Sequence, residues 1–227
     1  MQWIPLTLAA ALACAPVLAD DVKTDERLNN AASLFSEVMG SPDRAIPQGL
    51  LNKAYCVVVV PGLKKAAVLV GGKYGRGYAV CRAAGGEGWG PPAAIRIEGG
   101  SVGAQVGVSS TDVVLLIMNA GGMKRLSKSR FTIGAEATAA AGPVGRDATA
   151  QTDAFVTAEI LSWSRSRGLF GGVSLDGATL RNDLDENEAI YGQRWTSKQI
   201  LTSGAKPIAA ADKLLAVLSK YSPRRAG

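Results

Sequence analysis

Apolar residues recur at helical spacing near both ends of the chain and in β-branched or alternating runs between them. Over residues 25–39, Leu28, Ala32, Phe35 and Met39 share one face, with Ala31 and Val38 beside them, so the spacing predicts an amphipathic helix. Thr24 is placed as its N-cap, Asp25 and Glu26 follow in the first turn, and Gly40 and Pro42 end it. The polar face carries Asp25, Glu26 and Glu37, which an anionic membrane repels, so this helix is assigned to packing. Residues 47–54 read as one or two helical turns opened by Pro47. Residues 55–60 form a mostly β-branched run, a strand buried on both faces that Pro61-Gly62 stops.

Residues 66–70 and 78–82 read as strands joined by a glycine-rich loop over 71–77. Ile95-Arg96-Ile97-Glu98 alternates, which leaves one face solvated. Residues 101–108 and 112–119 add two strands, and Gly121-Gly122 opens a short basic helix over 123–129. Strands over 131–139, 154–164, 173–175 and 178–180 follow, the last two joined as a hairpin at Asp176-Gly177. Residues 185–190 and 197–203 read as short helices, and 208–218 as a longer one with Ala211, Leu214, Leu215 and Leu218 on one side. The expected fold is α+β: one domain with a large, mostly antiparallel sheet, open or closed on itself, and helices at both chain ends.

Composition sharpens this. The chain has 227 residues, 47% hydrophobic and 19% charged, enough to bury one core. Its 27 glycines and 6% aromatics favour closely packed strands over a helical bundle. The net charge of +6 and pI ≈ 9.3 suit an anionic partner. Residues 1–19 resemble a secretory signal: an uncharged run over 3–13, then Val17-Leu18-Ala19 before Asp20, although Met1-Gln2 supplies no base. The rival is a lipoprotein signal with lipidation at Cys14. The expectation is an exported protein, periplasmic or peripheral to a membrane, with an outer-membrane lipoprotein as the alternative. In an oxidising compartment Cys56 and Cys81 could pair; the reading preferred is two unpaired buried residues, because the predicted strand order sets them one strand too far apart for a bridge.

Candidate chemistry is narrow. The chain contains no histidine, which removes Ser-His-Asp and Cys-His catalysis and histidine-based metal sites. Gly71-Gly72-Lys73 is followed by Tyr74, not Ser or Thr, so it is no phosphate loop. The acidic run Asp183-Asp185-Glu186-Glu188 lacks calcium-loop spacing and reads as a solvated turn. No cofactor and no metal are expected. The positive signal is basic residues in turns: Lys73 and Arg76 in the glycine loop, and Arg165 and Arg167 before Leu169-Phe170. These six form the candidate lipid contact, since Lys and Arg match phosphate while an apolar tip enters the interface. The two loops are expected to neighbour each other. A secondary basic patch comprises Lys64, Lys65, Lys124, Arg125 and Lys128. Nucleic acid is not expected, because no aromatic stacking series accompanies the bases.

Several blocks in one order also carry a family resemblance. They include Gly72-Lys73-Tyr74-Gly75-Arg76-Gly77, Gly103-Ala104-Gln105-Val106-Gly107, Ala141-Gly142-Pro143-Val144-Gly145-Arg146 and Ser162-Trp163-Ser164. Gly168-Leu169-Phe170-Gly171-Gly172 through Asp176-Gly177, and Tyr191-Gly192, complete the set. Over residues 46–191 the chain resembles a SYLF domain. The residues give a signal (1–19), an amphipathic helix (20–45) and a C-terminal helical extension (193–227), and the resemblance supplies the SYLF-like domain between them (46–192). It implies a non-enzymatic module that binds anionic phospholipid or phosphoinositide-like headgroups. The alternative is an envelope protein-interaction module, and an acid–base hydrolase built on paired carboxylates is a third reading. With no SH3 domain in the chain, actin is not expected as a partner.

Overall fold

The computed structural model describes residues 15–41, 43, 45–68, 70–83, 85–102, 107–145, 157–166, 169–202 and 205–225. The expectations for Cys14 and Arg167 fall outside the described residues. The chain folds as one open, curled sheet with helices at both ends, the α+β class expected. Helix α1 (Ala15–Gly40) is followed by α2 (Gln48–Lys53) and four long strands. These are β1 (Cys56–Val68), β2 (Val70–Cys81), β3 (Ala93–Val102) and β4 (Gly107–Ile117). Helix α3 (Ala120–Leu126) leads to β5 (Arg130–Thr132), β6 (Ala139–Ala141), β7 (Ile160–Ser166), β8 (Leu169–Gly172) and β9 (Thr179–Asn182). Helices α4 (Leu184–Tyr191), α5 (Ser197–Thr202) and α6 (Asp212–Tyr221) close the described chain. The strand order is β5-β9-β3-β2-β1-β4-β7-β6, with β8 also on β7, and only β6–β7 is parallel among the named pairs.

Strand alternation sorts the side chains into two cores. Val57, Val59, Tyr78, Val80, Val114, Leu116 and Trp163 face α1 and α6, where they meet Leu28, Phe35, Leu214 and Leu218. Val58, Val60, Ala79, Ile95, Ile97, Val113 and Leu115 face the other way, onto Leu126, Phe131 and Leu180. Because Phe35 is fully buried, truncating it to Ala costs about 3–5 kcal/mol. Helix α1 extends further toward the N-terminus than the apolar pattern indicated: Pro16 is tolerated in its first turn, and Thr24 is a buried residue inside it instead of its cap.

Four expectations are corrected. Pro61-Gly62 does not end β1; it forms a bulge, and pairing resumes at Leu63 with β4 and at Lys64 with β2. Proline is tolerated within a sheet at such bulges. Gly62 takes φ 64°, and its N–H donates to Asp112 Oδ1 at 2.9 Å instead of to the ladder. Residues 71–77 are not a loop but part of β2. Gly77 is needed there because a Cβ would lie 2.1 Å from the Val59 carbonyl oxygen. One continuous β1 puts Cys56 directly opposite Cys81, with Cα atoms 3.9 Å apart, and the two form a disulfide. Reading the bulge as a strand end had inserted one strand too many between them. Finally, Asp176-Gly177 is a turn, but the strands on either side do not pair: β8 joins β7, whereas β9 joins β3 and β5.

Candidate functional site

The bulge in β1 divides the sheet into two regions of different character. On its near side Val57, Val58, Val59 and Val60 are fully buried on both faces. Beyond it Lys64, Lys65 and Ala66 are exposed, as are Gly72 and Tyr74 on β2 and Val108, Ser109 and Ser110 on β4. The central strands thus run past the helices that cover them and project as a hairpin end.

Register decides what this projection carries. Lys65 sits opposite Lys73, and Lys64 opposite Tyr74. Lys64, Tyr74 and Val108 point to the α1 side, Lys65 and Lys73 to the other. Val108 is 82% exposed and Tyr74 47%. Among the described residues neither Lys64 nor Lys65 forms an ion pair. Lys73 is half-buried. Desolvation first, and then the Lys65 charge opposite it, hold its ammonium below the ordinary lysine value. Lys64 and Lys65 therefore lack anions beside two exposed apolar side chains, while Lys73 feels the Asp176 carboxylate and is still held in an unfavourable setting by desolvation and by Lys65.

The other expected site residues are placed differently. Arg76 lies on the α1 side of β2 and is committed inward. Its Nε is 2.6 Å from Asp183 Oδ2, and its Nη2 donates to Asp183 Oδ1 at 3.1 Å. Arg165 on β7 donates from Nε and Nη2 to Asp112 Oδ2 at 2.9 and 2.7 Å, and from Nη1 to Glu37 on α1. Leu169 is exposed on the edge strand β8, while Phe170 is half-buried against the α1-side core. The two basic segments are not neighbours, since β1 and β4 lie between β2 and β7. Arg76 and Arg165 instead stand at opposite ends of a groove between α1 and the bulge. One part, of about 420 Å³, contains Arg27, Lys64 and Arg76; the other, of about 460 Å³, contains Glu37, Asp112 and Arg165. Both share Asn30, Pro61, Gly62 and Lys64. In the secondary patch, Arg125 pairs with Glu159 at 2.8 Å and Lys128 with Glu136 at 3.6 Å, while Lys124 is exposed on α3.

A buried ionic network at the floor of this groove has no counterpart in the pattern of the chain. Asp183 is fully buried and Glu186 nearly so, which overturns their reading as a solvated turn; Asp185 and Glu188 are exposed and pair with Arg194. Tyr78 donates to Glu186 Oε1 at 2.7 Å, and Arg27 on α1 pairs with the same oxygen. Burial, and then the Glu186 charge, push the Tyr78 phenol far above its usual value. The network joins α1, β2 and α4. Among the described residues no cluster of metal-ligating groups occurs, and no helix is long and apolar enough to cross a membrane.

The family described as "Ysc84: Las17-binding protein actin regulator" matches residues 98–221, more than half of the chain. The chain is 33% identical over 199 residues to "LAS seventeen-binding protein 3" of Saccharomyces cerevisiae, covering 85% of this chain and 43% of that protein. It is 34% identical over 186 residues to "Protein YSC84" of the same yeast, covering 81% and 39%. It is also 30% identical over 193 residues to human "SH3 domain-containing YSC84-like protein 1", covering 84% and 56%. The chain spans about two fifths to a little over half the length of these relatives. It belongs to the Ysc84, or SYLF, family. The actin-regulator description removes the support for excluding actin as a partner.

Proposed function

We propose that this member of the Ysc84 family is an exported, non-enzymatic module that binds anionic lipid headgroups, and that the projecting end of β1, β2 and β4 meets the membrane. The observation that carries the reading is the β1–β2 register, which gathers Lys64, Lys65 and Lys73 beside the exposed Tyr74 and Val108. Each basic residue near an anionic surface contributes about 1 kcal/mol. Tyr74 has the amphipathic ring that suits the headgroup level, and Val108 supplies apolar area. A phosphate between Lys65 and Lys73 offsets the desolvation, and then the Lys65 repulsion, that hold Lys73 below its ordinary value. In this reading Arg76 and Arg165 hold the groove together, and Lys73 remains the contact residue. The disulfide supports export, since such bonds persist in oxidising compartments.

Vesicle flotation of the full chain tests the reading. Binding is expected to vesicles containing phosphatidylglycerol or phosphatidylserine, to be absent with phosphatidylcholine alone, and to fall as screening shortens to about 3 Å at 1 M salt. Equal binding to zwitterionic vesicles at high salt contradicts it. A second reading, a protein-interaction module, is favoured by the relatives' names, which specify Las17 binding and SH3 domains.

A further inference from the structure

Across four neighbouring strands the register lines up four arginines. Arg130 on β5 is opposite Arg181 on β9, Arg181 is opposite Arg96 on β3, and Arg96 is opposite Arg76 on β2. Phe131, Leu180, Ile95 and Ile97 on the same strands fill the core of the other face, so all four arginines point to the α1 side. Like charges directly opposite one another destabilise a sheet, so such a row requires anions. The protein supplies only part of them. Glu98 bridges two members, with Oε1 2.9 Å from Arg96 Nε and Oε2 2.9 Å from Arg181 Nη1. Asp183 engages Arg76 at the inner end. Arg130 is exposed and forms no ion pair among the described residues.

We propose that this row is a docking surface for an extended acidic segment of a partner protein. Glu98 shows the complementary chemistry: a carboxylate that takes one guanidinium on each oxygen. Guanidiniums recognise carboxylates through paired donors. With Arg76 held by Asp183, the members left to a partner are Arg96, Arg181 and Arg130, on three strands at about 4.8 Å spacing, a row roughly 10 Å long. An extended chain repeats its side chains on one face about every 6.8 Å, so two alternate acidic residues lie within that length. A narrow strand also reaches Arg96 and Arg181, which are only 27% and 37% exposed, more readily than a flat bilayer does. The row shares no residue with the lysine end of β1 and β2, so the proposal stands or falls separately from lipid binding.

The test is fluorescence anisotropy of a labelled nine-residue peptide alternating Glu and Ser against the full chain, with a Lys-Ser peptide as control. The acidic peptide binds and the basic one does not. Arg130→Ala with Arg181→Ala weakens binding about tenfold or more, since charge-assisted hydrogen bonds contribute roughly 1.5–3 kcal/mol. Lys64→Gln with Lys65→Gln stays within about twofold, the screened effect of distant exposed charges. Glu98→Gln, which removes the carboxylate charge that Arg96 and Arg181 share and leaves one acceptor oxygen in place of two, tightens binding, and this gain decides the matter if the arginine variant fails to fold. No binding by the wild type, equal losses in the two double variants, or no gain with Glu98→Gln overturns the proposal. If the arginine variant loses vesicle flotation as strongly as peptide binding, the row is part of the membrane surface and the peptide assignment is wrong.

Discussion

Replacing Asp112 by Ala should destabilise the domain by about 3 kcal/mol. Two losses make up this figure. The Gly62 N–H in the β1 bulge loses its acceptor at 2.9 Å, and a part-buried donor left unsatisfied costs about 1–2 kcal/mol. Arg165 loses both hydrogen bonds to Oδ2, at 2.9 and 2.7 Å. The two side chains are 27% and 23% exposed, and Glu37 still holds Arg165, so this second loss is set at about 1–2 kcal/mol, the lower part of the charge-assisted range. Asp112→Asn keeps an Oδ1 acceptor for Gly62 but turns an amide NH2 toward Arg165 where Oδ2 had accepted, so it loses the Arg165 bonds alone and its cost is roughly half. The assay is urea unfolding at constant m-value, completed with Arg165→Ala and the double variant. The cycle should return a coupling of about 1–2 kcal/mol between the two residues. If Asp112→Ala unfolds within about 0.5 kcal/mol of wild type, or the coupling vanishes, Arg165 is not a structural clasp and its place at a binding surface reopens.

Three further outcomes follow from the same geometry. Replacing Cys56 and Cys81 by Ala should cost roughly 3–4 kcal/mol, from the entropy of closing the loop between residues 25 apart, read as a lower urea midpoint. Gly77→Ala should cost at least about 2 kcal/mol, because its Cβ meets backbone at Val59 and Val60 that cannot swing away; a neutral thermal melt would contradict this placement. Lys73→Met should leave stability equal or higher while weakening vesicle binding. Because Lys73 titrates below its ordinary 10.5 in the folded chain, its charged form opposes folding at neutral pH. That opposition fades as pH rises through the lowered value, so the wild-type protein should close the gap to the variant on the alkaline side.

The elements that were legible are those whose signal is local. The Leu28-Phe35 stripe, the Tyr55–Val60 run and the Leu214-Leu218 face all lie where periodicity put them. The Pro61-Gly62 bulge was misread because its meaning depends on Asp112, fifty residues away, which accepts the bond the ladder gives up. That single misreading split β1, turned β2 into a loop and separated two cysteines that are bonded. The arginines were found as residue types but not as partners. Arg76 and Arg165 look alike in sequence to Lys64 and Lys65, yet Asp183 and Asp112 engage the first two and no acid engages the second two among the described residues. The row from Arg130 to Arg76 exists only through strand register, and no sequence window contains it.

The most direct test of the membrane reading is the salt-dependent flotation of a Lys64→Gln, Lys65→Gln, Lys73→Gln variant against a Lys124→Gln, Arg130→Gln control on vesicles with a fixed share of phosphatidylglycerol. Three surface cations at about 1 kcal/mol each predict a loss of roughly two orders of magnitude for the first variant, with a shallower salt dependence. The control should remain within a few-fold of wild type. An equal loss per charge removed, three in the first variant and two in the control, would show that net charge alone draws this protein to the membrane, and that the projecting end of the sheet is not where it binds.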